Sequence, residues 1–252
     1  MLYPLLVSSI AGVSTAIGAI IIICSKNTGD KQMAIAQGFA AGVMLAVSLL
    51  DILPESFGNY YVYMNGLKAT KAVASLFVAG LVMGWAVSCI ALPDIETNKT
   101  DKLASARRMA VITTVVMIFH NLPEGVLTFF SATRDLSLGL KMAVAVALHN
   151  IPEGMAIASP VLYVTGSKIK AFTRSFLAGM AEPVGGLLAY LLLQKFISPA
   201  FLNGIMPVVA GVMCQAAVCE LIPNSIRISN FKHTLYGIIW GIIVMSIGLF
   251  MF

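Results

Sequence analysis

Along this chain, apolar residues gather into eight long runs separated by short polar connections. The runs cover residues 3–24, 33–53, 72–92, 109–131, 141–162, 171–193, 203–222 and 234–252. A helix of about 20 apolar residues spans the hydrocarbon core of a bilayer. The pattern therefore predicts an all-α membrane protein with eight transmembrane helices. The longest connections are 54–71, which contains YYVYMNG, and 93–108, PDIETNKTDKLASARR. Tyr60, Tyr61 and Tyr63 in the first of these suit a membrane interface. With connections this short, residues 1–252 read as a single polytopic membrane domain without an appended soluble module.

The polar residues inside the runs are not scattered. FHNLPEG at 119–125 and LHNIPEG at 148–154 are near-copies, and they hold two of the three histidines, 29 residues apart. On a helix, His120 and Glu124 are four apart and share a face, with Asn121 three from Glu124 beside them. His149, Asn150 and Glu153 repeat the arrangement. Pro123 and Pro152 each remove a backbone donor and crowd the carbonyl four residues back, at Phe119 and Leu148. Backbone freed in this way is tolerated at membrane depth only where protein or a wet cavity receives it. Two such helices, each presenting imidazole, amide and carboxylate, can enclose a divalent cation. The N/O donor set suits Zn, Fe(II), Mn, Co or Cd rather than Cu(I). A lone intramembrane His or Glu would read as a polar link between helices, but two matched copies are harder to explain that way.

Five acids fall inside the predicted spans: Asp51, Glu124, Glu153, Glu182 and Glu220. No Lys or Arg lies deep in any span. A charge at the bilayer centre costs at least ~2.5–3.5 kcal/mol, so these acids must be protonated, hydrated or bound to cations. That favours a cation path over an anionic substrate.

Composition closes off the soluble classes. The chain is 59% hydrophobic and 11% charged, with a mean hydropathy of +0.92, against roughly 25% charged residues in soluble domains. A net charge of +5 with a pI near 9.1 would suggest nucleic acid in a soluble protein. Here the basic residues cluster between the runs, where the positive-inside rule accounts for them, and no nucleic acid is expected. Odd-numbered connections and their edges hold eleven Lys and Arg: Lys26, Lys31, Lys99, Lys102, Arg107, Arg108, Lys168, Lys170, Arg174, Arg227 and Lys232. Even-numbered ones hold five: Lys68, Lys71, Arg134, Lys141 and Lys195. The odd connections are expected in the cytoplasm, with both termini outside. Cys24, Cys89, Cys214 and Cys219 lie in or beside apolar runs and read as packing residues, with no disulfide framework. The first run lacks the basic start of a cleavable signal.

The chain also repeats itself. AGVMLAVSLLDILPES at 41–56 aligns without gaps on AGVMCQAAVCELIPNS at 210–225, at a constant offset of 169. Asp51 falls on Glu220, Pro54 on Pro223 and Ser56 on Ser225. Gly-x-x-x-Gly occurs at Gly80/Gly84 and Gly237/Gly241, a spacing that serves internal helix packing or a homodimer face. Each repeated pair joins an even-numbered helix to an odd-numbered one, so the partners cross the membrane in opposite directions. The pattern is a 3+2+3 inverted repeat: helices 1–3 related to 6–8, with 4 and 5 as the central pair. Inverted repeats are a transporter signature and place a site near the midplane at interrupted helices.

At these residues the chain resembles the ZIP (ZRT/IRT-like) family of divalent metal transporters. The resemblance runs over the whole length, through HNLPEG, HNIPEG and AEPVGG (181–186), and HNIPEGMAIASPVLYVTGSK (149–168) looks like the broad-specificity bacterial branch. It implies metal uptake into the cytoplasm through a two-metal centre, with a bundle of helices 1, 4, 5 and 6 sliding against 2, 3, 7 and 8. One metal position would use His120, Glu124, His149 and Glu153, with Met44 nearby. The other would use Asn121, Glu124, Asn150, Glu153 and Glu182, with the glutamates bridging. Met44 reads equally as core filler. Asp51 and Glu55 at the outer end of helix 2, and Glu220 at the inner end of helix 7, read either as acidic entrance and exit groups or as helix-end solvation. His233 reads as a solvated loop residue. The 93–108 connection lacks the His-rich stretch of many family members and carries Asp94, Glu96 and Asp101 instead, so metal sensing through it is not expected. The expected partners are divalent metal ions and the bilayer of a bacterial inner membrane, with no cofactor. The rival readings are a carrier working outward and an intramembrane metal-dependent hydrolase. The hydrolase lacks the usual His-Glu-x-x-His.

Overall fold

The computed structural model describes residues 1–25, 29–91 and 102–251. Lys26, Asp94, Glu96, Lys99 and Asp101 lie outside the described residues. Within them the chain is helical, with no strand. We number eight helical elements: α1 (Leu2–Cys24), α2 (Asp30–Tyr61), α3 (Gly66–Ala91), α4 (Lys102–Arg134), α5 (Leu136–Thr165), α6 (Lys168–Leu193), α7 (Pro199–Ile228) and α8 (Phe231–Met251). Seven of them are long and apolar enough to cross a membrane. The remaining one, α5, has the length at 30 residues, but His149, Asn150, Pro152 and Glu153 dilute its hydropathy.

The helices outrun the apolar runs. α2 continues through Glu55 to Tyr61, and α4 begins at Lys102 rather than 109. Asp51, Glu55 and Glu220 therefore lie inside helices rather than at their ends. His233 belongs to the first turn of α8, where its Nδ1 lies 2.8 Å from Ser229 Oγ. Local chemistry sets the ends. Asp135, Ser167 and Ser198 accept from the backbone N–H groups of Leu138, Lys170 and Phe201, capping α5, α6 and α7. Gly166, at φ 62°, closes α5 in the left-handed conformation.

Two helices share an irregularity. In α2, Val47–Ile52 is a π turn, and in α7, Ala216–Leu221 is another. Leu53 N–H reaches Ser48 O and Ile222 N–H reaches Ala217 O, five residues back in each case. Pro54 and Pro223 follow directly. Each proline lacks an N–H and would crowd the carbonyl four residues before it, and a widened turn makes room. The two π turns stand at the same offset of 169 residues as the sequence repeat. α6 is broken at Met180, three residues before Pro183, for the same reason.

Glycines show how the helices group, because at these positions backbones meet with no room for a Cβ. Gly12 and Gly179 join α1 to α6, Gly18 and Gly154 join α1 to α5, and Gly125 and Gly185 join α4 to α6. Gly38, Gly42, Gly237 and Gly241 join α2 to α8, while Gly80 and Gly211 join α3 to α7. The Gly-x-x-x-Gly faces are thus used inside the chain. α1, α4, α5 and α6 form one tightly packed group. The pairs α2–α8 and α3–α7 stand against it across side chains of the main apolar cluster, including Met44, Met117, Ile157 and Met213. Nine of the described Lys and Arg mark one end of the bundle, from Lys31 and Lys102 to Arg227 and Lys232. A second cluster, of Met33, Ala106, Met109 and Ile228, fills the bundle at this basic end.

Candidate metal centre

The two prolines of the repeated motif do not interrupt α4 or α5, which stay helical through Pro123 and Pro152. The motif side chains meet between these helices. His120, Asn121, Glu124, His149, Asn150, Glu153 and Glu182 are all buried, none more than 4% exposed. The histidines do not pair with the glutamates of their own helix. His120 Nε2 lies 2.9 Å from Glu153 Oε1, and His149 Nε2 lies 2.6 Å from Glu124 Oε1. Each imidazole thus crosses to the carboxylate of the other copy, and two of the five intramembrane acids acquire polar partners. The asparagines face outward from this pair. Asn121 Nδ2 donates to Ala178 O of α6, 3.1 Å away, just before the break at Met180. Asn150 Nδ2 donates to Ala11 O of α1 at 3.0 Å and to Glu182 Oε1.

The motif glycines, which the sequence reading left without a role, make this geometry possible. A Cβ on Gly125 would collide with the Glu182 backbone, and one on Gly154 with Thr15 O. They let α6 and α1 close on the motif helices and bring Glu182 to Asn150. Gly at spacings where helices pack was the available signal.

Each of the seven residues keeps one buried polar atom without a partner: His120 Nδ1, Asn121 Oδ1, Glu124 Oε2, His149 Nδ1, Asn150 Oδ1, Glu153 Oε2 and Glu182 Oε2. Fourteen buried side-chain atoms among the described residues lack a partner, and half of them belong to these seven residues, a concentration of open acceptors that fits a cation. All seven can present a lone pair. Among the described residues, no three His, Cys, Asp or Glu side chains stand close enough to hold one ion. The crossed bonds hold the groups in pairs.

Met44 is fully buried in the main apolar cluster rather than on a polar surface. Asp51 and Glu55 line a cavity of about 50 Å³ that reaches Glu124 and His149. They also line a neighbouring cleft of about 190 Å³ beside Leu138 and Lys141. This opening lies at the end of the bundle opposite the nine clustered Lys and Arg, with Lys141 at its edge. Glu220 sits in the π turn of α7, beside Ser88 and Asn224.

Seven helices long and apolar enough to cross a bilayer, packed around a buried polar centre with a cavity leading to it from one end, define a multi-pass membrane protein with a polar interior. The family model described as "ZIP Zinc transporter" matches residues 68–248. The chain is 36% identical to the zinc transporter ZupT of Chlorobium phaeovibrioides, over 98% of this chain and 97% of the relative. It is 37% identical to ZupT of Escherichia fergusonii, over 99% and 96%. The chain belongs to the ZIP family, a family of transporters rather than enzymes. With these bacterial relatives, the helices place it as a multi-pass protein of the bacterial inner membrane.

Proposed function

We propose that this protein carries divalent metal cations into the cytoplasm by alternating access, with zinc first and iron(II), manganese, cobalt and cadmium as competitors. The seven unpartnered lone-pair atoms of the crossed centre carry this reading. The two-position arrangement follows. His120, Glu124, His149 and Glu153, with Met44 nearby, take one ion. Asn121, Glu124, Asn150, Glu153 and Glu182 take the other, and the two motif glutamates bridge. The bridging explains the crossing: each glutamate already spends one oxygen on the other helix. A cation entering the centre exchanges the imidazole–carboxylate bonds for metal bonds. The buried polar groups then keep partners throughout, which low-dielectric surroundings require.

Asp51 and Glu55 line the way in, and Glu220 stands on the way out. The basic end is the cytoplasmic one by the positive-inside rule, so both termini lie outside and the cavity at Asp51 opens outward. The paired π turns support the 3+2+3 inverted repeat. So do two apolar clefts, of about 600 Å³ among α3, α4, α6 and α7 and about 630 Å³ among α1, α2, α5 and α8, each holding one motif proline. The inversion exchanges these two sets of helices.

Uptake of zinc and iron(II) into proteoliposomes tests the reading. Metal entering with wild type, but not with His149→Ala or Glu153→Ala, is the expected result. Absence of wild-type flux, with metal still bound tightly, would overturn the carrier and leave a binding protein. Competition among the metals then orders the substrates.

A further inference from the structure

The seam between the glycine-packed groups is crossed by polar ties that start on two residues of α2. Gln37 is fully buried, and its Nε2 donates to Ala156 O at 2.7 Å and to Ser159 Oγ at 3.0 Å. Ala156 O needs a donor for a local reason. In a regular helix it would accept from the N–H of residue 160, and residue 160 is proline. Pro160 thus leaves a carbonyl open in α5, and a side chain from another helix closes it. Two turns away on α2, Asp30 Oδ1 accepts from Tyr163 Oη at 2.8 Å, and Asp30 Oδ2 from Lys102 Nζ at 2.5 Å. Tyr163 is likewise seven residues beyond Ala156. The helices run antiparallel, so Gln37 faces Ala156 and Asp30 faces Tyr163 in one register, as two rungs.

Both rungs lie toward the basic end, where Met33, Ala106, Met109 and Ile228 fill the bundle and Tyr163 packs against them. α5 is held to α1 by Gly18 and Gly154, and α2 to α8 by Gly38 and Gly241. The rungs therefore join two bodies, each rigid at its own backbone contacts. We propose that Gln37, backed by Asp30, is the lock on the closed basic-end gate of this transporter. Opening that end requires α5 to leave α2, which breaks the Gln37 bonds and takes from Ala156 O the donor that stands in for the N–H Pro160 lacks. The lock rests on the alternating-access reading and adds what holds one of its states shut. Gln37 and Tyr163 act through the gate rather than on the cation.

The test reads gate opening directly. In full-length protein with its four cysteines replaced, Ala106→Cys places a thiol in the filled basic end. Ala143→Cys places a control thiol in the cluster of Val7, Ala11, Ala132 and Val146, wholly within α1, α4 and α5. Labelling by a polar maleimide is followed in lipid nanodiscs, where both faces are accessible. Gln37→Leu is expected to speed labelling at position 106 by at least about two- to tenfold, the weight of one neutral hydrogen bond, and the conservative Tyr163→Phe, which removes a bond to a carboxylate, by about tenfold or more, with labelling at position 143 unchanged. Equal acceleration of both thiols would mean general loosening and would overturn the lock, as would no acceleration at position 106. Zinc uptake by the parent protein separates the two claims. Transport with labelling indifferent to the rungs overturns the lock alone, whereas no transport overturns the carrier on which it rests.

Discussion

At the residue scale, the crossing of the motif pairs is the finding with the sharpest consequence. Four-residue spacing puts His120 beside Glu124 on one helix, and the sequence supports nothing further. The structure pairs His120 with Glu153 and His149 with Glu124. Double-mutant cycles distinguish these arrangements. His120→Ala should couple to Glu153→Ala by about 0.5–3 kcal/mol in unfolding free energy, the range for residues in contact, and more weakly to Glu124→Ala. The reverse pattern would return the motif to two separate within-helix pairs. The members of the centre were legible because imidazole, amide and carboxylate are rare in apolar runs. Their partners were not, because periodicity fixes the face of one helix and says nothing of how two faces meet. Gln37 was illegible for a related reason: its role depends on a proline in another helix, 123 residues away.

At the element scale, eight helices could be counted from hydropathy, but their ends could not. An apolar run stops at its last apolar residue, whereas backbone hydrogen bonding continues through polar turns such as Pro54–Tyr61 and Lys102–Arg108. The π turns escaped periodicity altogether, since runs this apolar on every face show no polar stripe whose shift would mark a widened turn. Their cause was nonetheless in view, as the aligned Pro54 and Pro223. The turn in α2 sets where Asp51 and Glu55 face. Replacing Pro54 with alanine restores the missing N–H and removes the reason for the widened turn. α2 can then tighten to regular α geometry, and Asp51 shifts by about 100° around its axis, the turn per residue at 3.6 residues per turn. If these carboxylates gather cations at the mouth, Pro54→Ala should reduce zinc uptake at low zinc by up to about tenfold, with less effect at saturation. Raised salt should narrow the difference. An unchanged apparent KM would assign Asp51 and Glu55 to helix solvation instead.

At the scale of the whole molecule, close packing is distributed unevenly, and this distinguishes surfaces that hold from surfaces that can move. Gly12, Gly154, Gly211 and Gly241 each bring their helix against the backbone of a neighbour in the same group or pair. Gly248 of α8 faces the other group, and a Cβ there would meet only Leu148 Cδ1 of α5, at 3.6 Å. Backbone against backbone cannot yield, while side chain against side chain can slip to a new packing. An alanine scan reads this division without reference to metal. At Gly12, Gly154, Gly211 and Gly241 the added methyl should cost about 1–3 kcal/mol by overpacking, more than the roughly 1 kcal/mol that alanine returns through helix propensity. Thermal stability in detergent should therefore fall. At Gly248 only the propensity term operates, so stability should hold or rise. A fall at Gly248 as large as at Gly154 would mean that the seam is packed as rigidly as the groups it separates. In that case α5 could not leave α2, and access to the centre would have to alternate without relative movement of the two bodies.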